Sequence, residues 1–244
     1  MIDHVTLRVE DLDAAGSFYD LALALLDFEG TPFAAADFRE WDELSIARAS
    51  AERPATRGLH VGLAARSPEQ VDAWWRTLTD AGYPSDGEPG TRPEYGPAYY
   101  GAFVLDPAGN SVEAVHDPPG RLPSAIDHLW LRVRDLDAST RFYETLAPLV
   151  DHRVRRLPGR TALDGEGAAL SLLAGPPSEH VHLAFAVFDR AAVDAFHARG
   201  LEAGYRSLGA PGERPRYHPG CYAAYLEDPD GHNVEAVFHD RPAA

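Results

Sequence analysis

Six residues of two kinds, histidine and glutamate, recur in matching order in the two halves of this 244-residue sequence. They are His4, His60 and Glu113, followed by His128, His182 and Glu235. The spacings are 56 and 53 residues in the first half (60−4, 113−60) and 54 and 53 in the second (182−128, 235−182). Two neutral imidazoles and one carboxylate facing a common point form a site for Fe(II), Mn(II), Ni(II) or Zn(II). The recurrence predicts two divalent-metal sites, in which Glu113 and Glu235 are also candidate catalytic residues.

Strand periodicity predicts the direction in which these side chains point. Within residues 2–9, His4 alternates with Val5 and therefore lies on the opposite face of the strand. Glu113 alternates with Val112 in the same way. If the apolar face packs under helices, the other face of a curved sheet forms a cup that holds the polar residues. A lone strand histidine is usually a structural, hydrogen-bonded residue, but the recurrence of the whole set favours ligands.

The two halves are copies of one unit. Residues 2–19 match residues 126–143 at 12 of 18 positions, and residues 93–113 resemble residues 215–235. Residues 118–124 contain three prolines and a glycine, so they predict a linker between domains at 1–117 and 125–240. The repeat therefore gives the domain organisation directly.

Each half follows the order strand, helix, strands, and then the same order again, which predicts an α+β fold with helices on one face of the sheet. Asp11 or Asp13 is expected to cap the first helix. The expected elements after residue 43 of the first half are strands at 44–47 and 59–65, a helix at 68–81, a loop at 87–97, and strands at 99–105 and 111–116.

Composition excludes several classes of function. The formal net charge is −16 and the sequence contains no lysine, so nucleic acid, anionic membranes and Schiff-base chemistry are not expected. The single cysteine, Cys221, excludes an intrachain disulfide. No signal peptide or apolar membrane segment is evident, which predicts a cytoplasmic protein.

The motifs resemble those of a known superfamily. Asp3-His4-Val5-Thr6-Leu7-Arg8-Val9 with a downstream Phe-Tyr, and Asp-Pro-x-Gly-x-x-Val-Glu near the end of each half, are similar to the vicinal-oxygen-chelate superfamily of glyoxalases, bleomycin-resistance proteins and extradiol dioxygenases. The resemblance implies paired βαβββ modules around a cupped sheet, with metal ligands from the first, fifth and eighth strands. The six residues fall on those positions, and alignment favours His182 over His180.

Departures from the family pattern bear on the reaction. Glyoxalase I enzymes add a fourth, carboxylate ligand, where this sequence has Ser45 and Ser171. Glu43 is a possible substitute in the first half only. The second half carries His218 and Tyr225, which nearly match the extradiol signature and are candidate acid–base residues.

The leading hypothesis is a metal-dependent enzyme that binds a small oxygenated metabolite through vicinal oxygens. The enzyme would convert this metabolite by lyase, isomerase or ring-opening chemistry. Arg8 and Arg132 could bind a substrate carboxylate or phosphate, or form salt bridges at the cup rim. Tyr217 and Tyr222 are expected in a loop over the cup and are candidate substrate contacts.

Two alternatives stay open. One is a metal-free, bleomycin-resistance-type protein that sequesters a flat ligand, favoured by Trp130, Trp74 and Trp75. The other is an extradiol dioxygenase active in the second half. The fused chain is expected to be a monomeric pseudo-dimer or a homodimer, and His4 could share a site with Glu113 or with Glu235.

Overall fold

A computed structural model describes residues 1–28, 33–118 and 125–240. Apart from Pro118, the predicted linker at 118–124 lies outside the described residues. Within these ranges, no helix is long and apolar enough to cross a membrane. The described chain forms two eight-stranded sheets and four α-helices, which confirms the α+β expectation.

The two halves contain matching elements. The first half contains β1 (Ile2–Val9), α1 (Leu12–Ala24), β2 (Phe33–Ala35), β3 (Phe38–Trp41), β4 (Leu44–Arg48), β5 (His60–Ala64), α2 (Pro68–Asp80), β6 (Ser85–Thr91), β7 (Tyr100–Leu105) and β8 (Ser111–His116). The second contains β9 (Ile126–Val133), α3 (Leu136–Leu146), a 3₁₀ turn (Ala147–Leu149), β10 (Arg153–Leu157), β11 (Arg160–Asp164), β12 (Ala169–Ala174), β13 (His182–Ala186), α4 (Arg190–Glu202), β14 (Ser207–Glu213), β15 (Cys221–Glu227) and β16 (Asn233–His239).

Each sheet joins one module from each half. One sheet has the order β14-β15-β16-β13-β1-β4-β3-β2, and the other has the order β10-β11-β12-β9-β5-β8-β7-β6. The junctions are antiparallel pairs, β1 with β13 and β5 with β9. The first strand of each half therefore lies beside the fifth strand of the other half.

Strand alternation and helix capping explain the packing. Val5 and Leu7 are fully buried on the helix side of β1, as their spacing predicts. Asp11, one of the two expected caps, accepts hydrogen bonds from the backbone N–H groups of Asp13 and Ala14 at the start of α1. One continuous hydrophobic core includes residues of both halves. This shared core is the physical basis for pairing between modules of different halves.

The loop expected at 87–97 is partly wrong, because its first residues belong to strand β6 (Ser85–Thr91). The strand lies at the edge of its sheet and its register against β7 shifts around Gly87 and Gly90. Glycine and proline are tolerated at an irregular sheet edge, so their presence does not exclude a strand there. At Gly87 a Cβ atom would lie 2.7 Å from the ring of Phe103, so any other residue there would have to displace that ring.

Candidate metal and substrate sites

The six recurring residues form two clusters, each of which draws on both halves of the chain. Site A contains His60, Glu113 and His128. Site B contains His4, His182 and Glu235. The question of which glutamate lies with His4 is answered by the sheet order, which places β1 two strands from β16.

Site A is a compact triangle of donor atoms. His60 Nε2 lies 3.0 Å from Glu113 Oε2 and 3.1 Å from His128 Nε2, and the remaining edge between His128 Nε2 and Glu113 Oε2 is 3.3 Å. Two ligands on one ion are about 3.0 Å apart in an octahedron and about 3.4 Å in a tetrahedron when the metal–ligand bonds are ~2.1 Å. The triangle therefore has the dimensions of a metal-ligand face.

Site B has the same arrangement with one longer edge. His182 Nε2 lies 3.0 Å from Glu235 Oε2 and 3.1 Å from His4 Nε2, whereas His4 Nε2 and Glu235 Oε2 are 3.7 Å apart. The His4 side chain is 26% exposed, compared with 7% for its counterpart His128 in site A. Site B is therefore the more open of the two sites.

Each half has an aspartate directly before the histidine of its first strand, and a β-bulge holds that aspartate beside the histidine. Adjacent strand residues normally face opposite sides, but Asp3 and Asp127 are the extra residues where the register against the neighbouring strand shifts. His4 Nδ1 lies 2.7 Å from Asp3 Oδ1, and His128 Nδ1 lies 2.9 Å from Asp127 Oδ1. The carboxylate accepts the Nδ1–H proton and so leaves Nε2 as the ligating atom, a common arrangement at metal sites.

The charges within site A also suit a cation. Burial raises the pKa of Glu113, but hydrogen bonds from His128 and His60 outweigh burial and bring the pKa to about 2. Burial lowers the pKa of His128, yet its bonds to Asp127 and Glu113 raise it to about 9. Without metal, Nε2 of His128 and Nε2 of His60 both lie within hydrogen-bond distance of the carboxylate and of each other. One proton cannot bridge all three donor pairs, whereas a divalent ion can contact all three donors.

The histidine that each site takes from a fifth strand, His60 in site A and His182 in site B, is less firmly held at its Nδ1 atom than the histidine from a first strand. His60 Nδ1 lies 3.2 Å from the hydroxyl of Ser111, which itself donates to Asp86. His182 Nδ1 is buried and makes no hydrogen bond to the described residues. Burial is the main cause that lowers the pKa of both imidazoles, which keeps them neutral and able to bind a metal.

Site A is lined by aromatic rings. The Trp130 ring centroid lies 4.8 Å from that of His60 and 5.2 Å from that of His128, and Phe103 lies 5.8 Å from His60. Tyr99, which was not singled out from the sequence, donates from its hydroxyl to Glu113 Oε1 at 2.8 Å. Its position at the start of the strand expected at 99–105 gave no sign of this role.

Site B is lined by polar groups. Thr6 replaces Trp130 at the matching position, and its hydroxyl lies 2.7 Å from that of Ser45. Tyr225 pairs with Glu235 across β15 and β16, and its ring centroid is 6.3 Å from that of His182. The Tyr225 hydroxyl is buried with no hydrogen bond to the described residues.

Several other predicted residues lie elsewhere. Tyr222 faces α4, where its hydroxyl donates to Asp194 at 2.9 Å, so its expected position over the cup is wrong. Strand parity is the reason, because Tyr222 and Tyr225 are three residues apart and face opposite sides of β15. Tyr217 is 57% exposed, with the guanidinium of Arg216 stacked on its ring.

His218 is not among the three donors of site B. Its Nε2 lies 2.7 Å from His239 Nδ1, and His239 in turn contacts Asp3. A chain of hydrogen bonds therefore connects His218 to His4 through His239 and Asp3.

The structure also shows where the remaining candidate residues from the sequence lie. Glu43, the possible fourth ligand, accepts a hydrogen bond from the backbone N–H of Ala125, so its carboxylate is used in joining the halves. His180 is exposed, whereas His182 lies in site B, as the alignment predicted. Trp74 packs in the core and donates to Ala22, so it does not line a cup. Trp75 donates to Ser85 on β6.

Comparison with known proteins identifies the family. The sequence matches the Glyoxalase/Bleomycin resistance protein/Dioxygenase superfamily over residues 1–114 and 125–236. The chain belongs to this superfamily. The resemblance inferred from the sequence and the two tandem glyoxalase-like domains are thereby confirmed.

Solved structures of glyoxalase I from Zea mays share the fold. One is 22% identical, covers 98% of this chain and 92% of its own length, and superposes with a TM-score of 0.68. The V278E mutant of the same enzyme is 21% identical over the same shares of both chains, with a TM-score of 0.71. Among curated proteins, none matches this sequence significantly. At these identities, the likeness to glyoxalase I shows the fold alone.

Proposed function

We propose that this superfamily member is a divalent-metal-dependent enzyme that acts on a small oxygenated metabolite, with site B as its main catalytic centre. The convergence of His4, His182 and Glu235 within 3.7 Å of one another is the observation that carries the proposal. A bound Fe, Mn, Ni or Zn ion would act as a Lewis acid toward adjacent substrate oxygens. In site A the equivalent ligands are His60, Glu113 and His128.

Arginines near site B indicate an anionic substrate. Burial lowers the pKa of Arg8, and the positive charges of Arg53 and Arg216 lower it further. Among the described residues, none of these three guanidinium groups has an acidic partner within salt-bridge distance, although the chain has a net charge of −16. Because uncompensated positive charge attracts anions into a cleft, we assign Arg8 to a substrate carboxylate or phosphate, with Tyr217 near the same entrance.

Arg132 has the corresponding role at site A in this proposal. Its charge contributes to the lowered pKa of His60, after burial and the nearby His128. Glu94 occupies the position that matches Arg216, so the entrance to site A carries less positive charge. Anionic substrates should therefore prefer site B.

Tyr225 is the proposed proton donor of site B. Burial and the charge of Glu235 raise the pKa of its hydroxyl, which therefore stays protonated at neutral pH. The buried hydroxyl lies beside the guanidinium of Arg214, and it can donate to an oxyanion that develops on the substrate. Phe103 stands at this position in site A, so the same step is not available there.

The reaction class follows from the groups that surround site B. Lyase, isomerase and ring-opening reactions all stabilise an oxyanion, and Tyr225 suits each of them. We favour these over glyoxalase I chemistry, because Ser45 stands where that enzyme class has a fourth carboxylate and Glu43 is used elsewhere. An extradiol dioxygenase remains the second reading, with Tyr225 at site B and His218 acting through His239 and Asp3.

A ligand-sequestering function is the alternative for site A. Tyr95 and Trp130 have ring centroids 5.1 Å apart and, with Phe103, offer a surface for a flat aromatic ligand. The variants His60→Ala and His182→Ala separate the two functions, because an enzyme would lose turnover, whereas a sequestering protein would keep its ligand affinity.

The arrangement of the two sites also bears on assembly. Because each site already uses residues of both halves, we propose that the chain works as a monomeric pseudo-dimer, with sequence domains at 1–117 and 125–240. Its single cysteine suits a reducing cytoplasmic setting.

Metal content of tag-free protein tests the proposed function. The Glu113→Ala and Glu235→Ala variants should each lose one equivalent of transition metal relative to the wild type. Turnover of anionic diols and oxoacids should disappear in Glu235→Ala and persist in Glu113→Ala. If neither variant changes the metal content after reconstitution with Fe(II), Mn(II), Ni(II) and Zn(II), the metal-dependent function is wrong.

A further inference from the structure

A third cluster of potential ligands lies beside site B. It consists of His218 in the turn before β15, Cys221 at the start of β15 and His239 at the end of β16. Cys221 and His239 are directly paired across these strands. One donor atom from each of the three residues lies within 4.8 Å of the others. The cluster is outside the six residues assigned to sites A and B.

The hydrogen bonds around the two histidines orient both of them toward the centre of this cluster. His239 Nε2 donates to Asp3 Oδ2 at 3.0 Å, and His218 Nδ1 donates to the carbonyl oxygen of Pro219 at 2.8 Å. Each outward nitrogen therefore carries a proton. The inward atoms, His218 Nε2 and His239 Nδ1, lie 2.7 Å apart and share a proton when no metal is bound. Two lone pairs at that distance repel unless a proton or a metal ion lies between or beside them.

The geometry points to a metal site: we propose that His218, Cys221 and His239 bind a divalent transition metal such as Zn(II). Two imidazoles and a thiolate are a ligand set that zinc prefers, with the fourth position left for water or a further ligand. Asp3 holds His239 by its outward N–H, as carboxylates do beside zinc-bound histidines. On binding, Cys221 loses its thiol proton to solvent and its sulfur becomes the third ligand.

Asp3 would connect this third site to site B. Its Oδ1 contacts His4 of site B, and its Oδ2 contacts His239 of the third cluster. The first half has nothing comparable, since the matching positions hold Gly96, Tyr99 and Asp117. The third site is therefore a specific feature of the second half, independent of whether sites A and B are catalytic.

Cobalt spectroscopy tests the proposal, because a thiolate ligand gives Co(II) a ligand-to-metal charge-transfer absorption in the near ultraviolet. Cys221 is the only cysteine in the chain, and sites A and B contain no sulfur. The absorption can therefore come only from the third site. The experiment titrates Co(II) into reduced, metal-free, full-length protein and then displaces it with Zn(II).

We expect the charge-transfer absorption in the wild type and in Glu113→Ala. The Cys221→Ser variant should lose this absorption and should bind one equivalent of cobalt fewer than the wild type. His218→Ala and His239→Ala, which remove one imidazole each, should also abolish the absorption while Cys221 remains. Wild-type protein that binds cobalt without this absorption would overturn the proposal. So would a wild-type spectrum that survives in both His218→Ala and His239→Ala.

Discussion

The most informative single residues are the two aspartates that directly precede the histidine in the first strand of each half. A β-bulge in each copy brings Asp3 beside His4 and Asp127 beside His128. The bulge explains why strand alternation did not reveal them, since a regular strand would point neighbouring residues to opposite faces. The repeated Ile-Asp-His triplet was the only signal in the sequence.

Removing the charge of Asp127 should weaken site A alone, whereas removing that of Asp3 should weaken site B and the third cluster, because Asp3 contacts both His4 and His239. We expect Asp127→Asn to lower metal affinity at site A about 10–100-fold and Asp3→Asn to do the same at site B, because the neutral amide supports the ligating imidazole less well. Competition with a chelator of known affinity measures both. Each variant serves as the control for the other. Equal weakening of both sites by Asp127→Asn would contradict a local role.

The hydroxyl of Tyr225 can be tested against a neighbour that faces away from the site. Tyr225→Phe should reduce kcat about 10²-fold on an anionic substrate of site B without loss of metal, since a positioned proton donor contributes roughly that factor. Tyr222→Phe is the matched control, because its hydroxyl contacts Asp194 on α4 instead. If the two variants have the same kcat, Tyr225 is not the proton donor.

The six recurring residues were predictable because duplication supplied an internal comparison. Their types and spacings survive in both halves, although the positions around them differ, as Trp130 and Thr6 illustrate. The partners Tyr99 and His239 were not predictable. Tyr99 acts through a side-chain hydrogen bond to Glu113, and His239 through strand pairing with Cys221, and the local pattern specifies neither contact.

At the scale of elements, the turns before the last strand of each half differ in how well their polar groups are satisfied. In the first half, Asn110 accepts from the backbone N–H of Leu59 and donates to Asp106 Oδ2 at 3.1 Å. In the second half, His232 accepts from Val181 N–H, but its Nε2 and the Oδ2 of Asp228 have no hydrogen bond to the described residues.

The titration of this second turn follows from burial. Burial raises the pKa of Asp228 from 3.8 to about 7, so the folded state binds more protons than the unfolded state in that range. The contribution of this carboxyl to stability therefore falls as the pH rises from about 4 to 7. Burial also lowers the pKa of His232 to about 4, which acts in the opposite direction below pH 6.5. At pH 8 the only effect of these two titrations that remains is the loss of folding stability caused by the ionised, buried Asp228.

Replacing His232 with the residue of the first half should therefore stabilise the protein. In His232→Asn, the amide can donate to Asp228 Oδ2 as Asn110 does to Asp106. We expect a gain of about 1–3 kcal/mol in the free energy of unfolding at pH 8, since a buried polar group regains its partner. Urea denaturation measures it. The reciprocal variant Asn110→His should destabilise, and a gain in both variants would contradict the explanation.

Element boundaries were predicted well where side-chain periodicity is strong and less well where it is absent. The strand at 2–9 and the helix expected at 68–81 appear as β1 and α2 within one residue. The edge strand β6 was missed because its glycines and prolines are typical of loops, and its pairing is made by the neighbouring strand β7.

At the scale of the whole molecule, the main outcome is that both sheets cross the boundary between the halves. Sequence periodicity could not decide this, since the first modules of both halves present nearly the same pattern to a second module. The choice depends on long-range packing, visible in the β1–β13 and β5–β9 pairs and in the shared core. A consequence is that His4 and His128 each lie in a different metal site from the other two ligands of their own half.

Metal stoichiometry in double variants tests this arrangement. In a Cys221→Ser background, which removes the third cluster, His4→Ala combined with Glu113→Ala should lose two equivalents of metal. These residues share a half but belong to different sites. His128→Ala combined with Glu113→Ala should lose only one equivalent, because both residues belong to site A although they come from different halves. Sites built within each half would give the reverse pattern, with one equivalent lost from the first pair and two from the second.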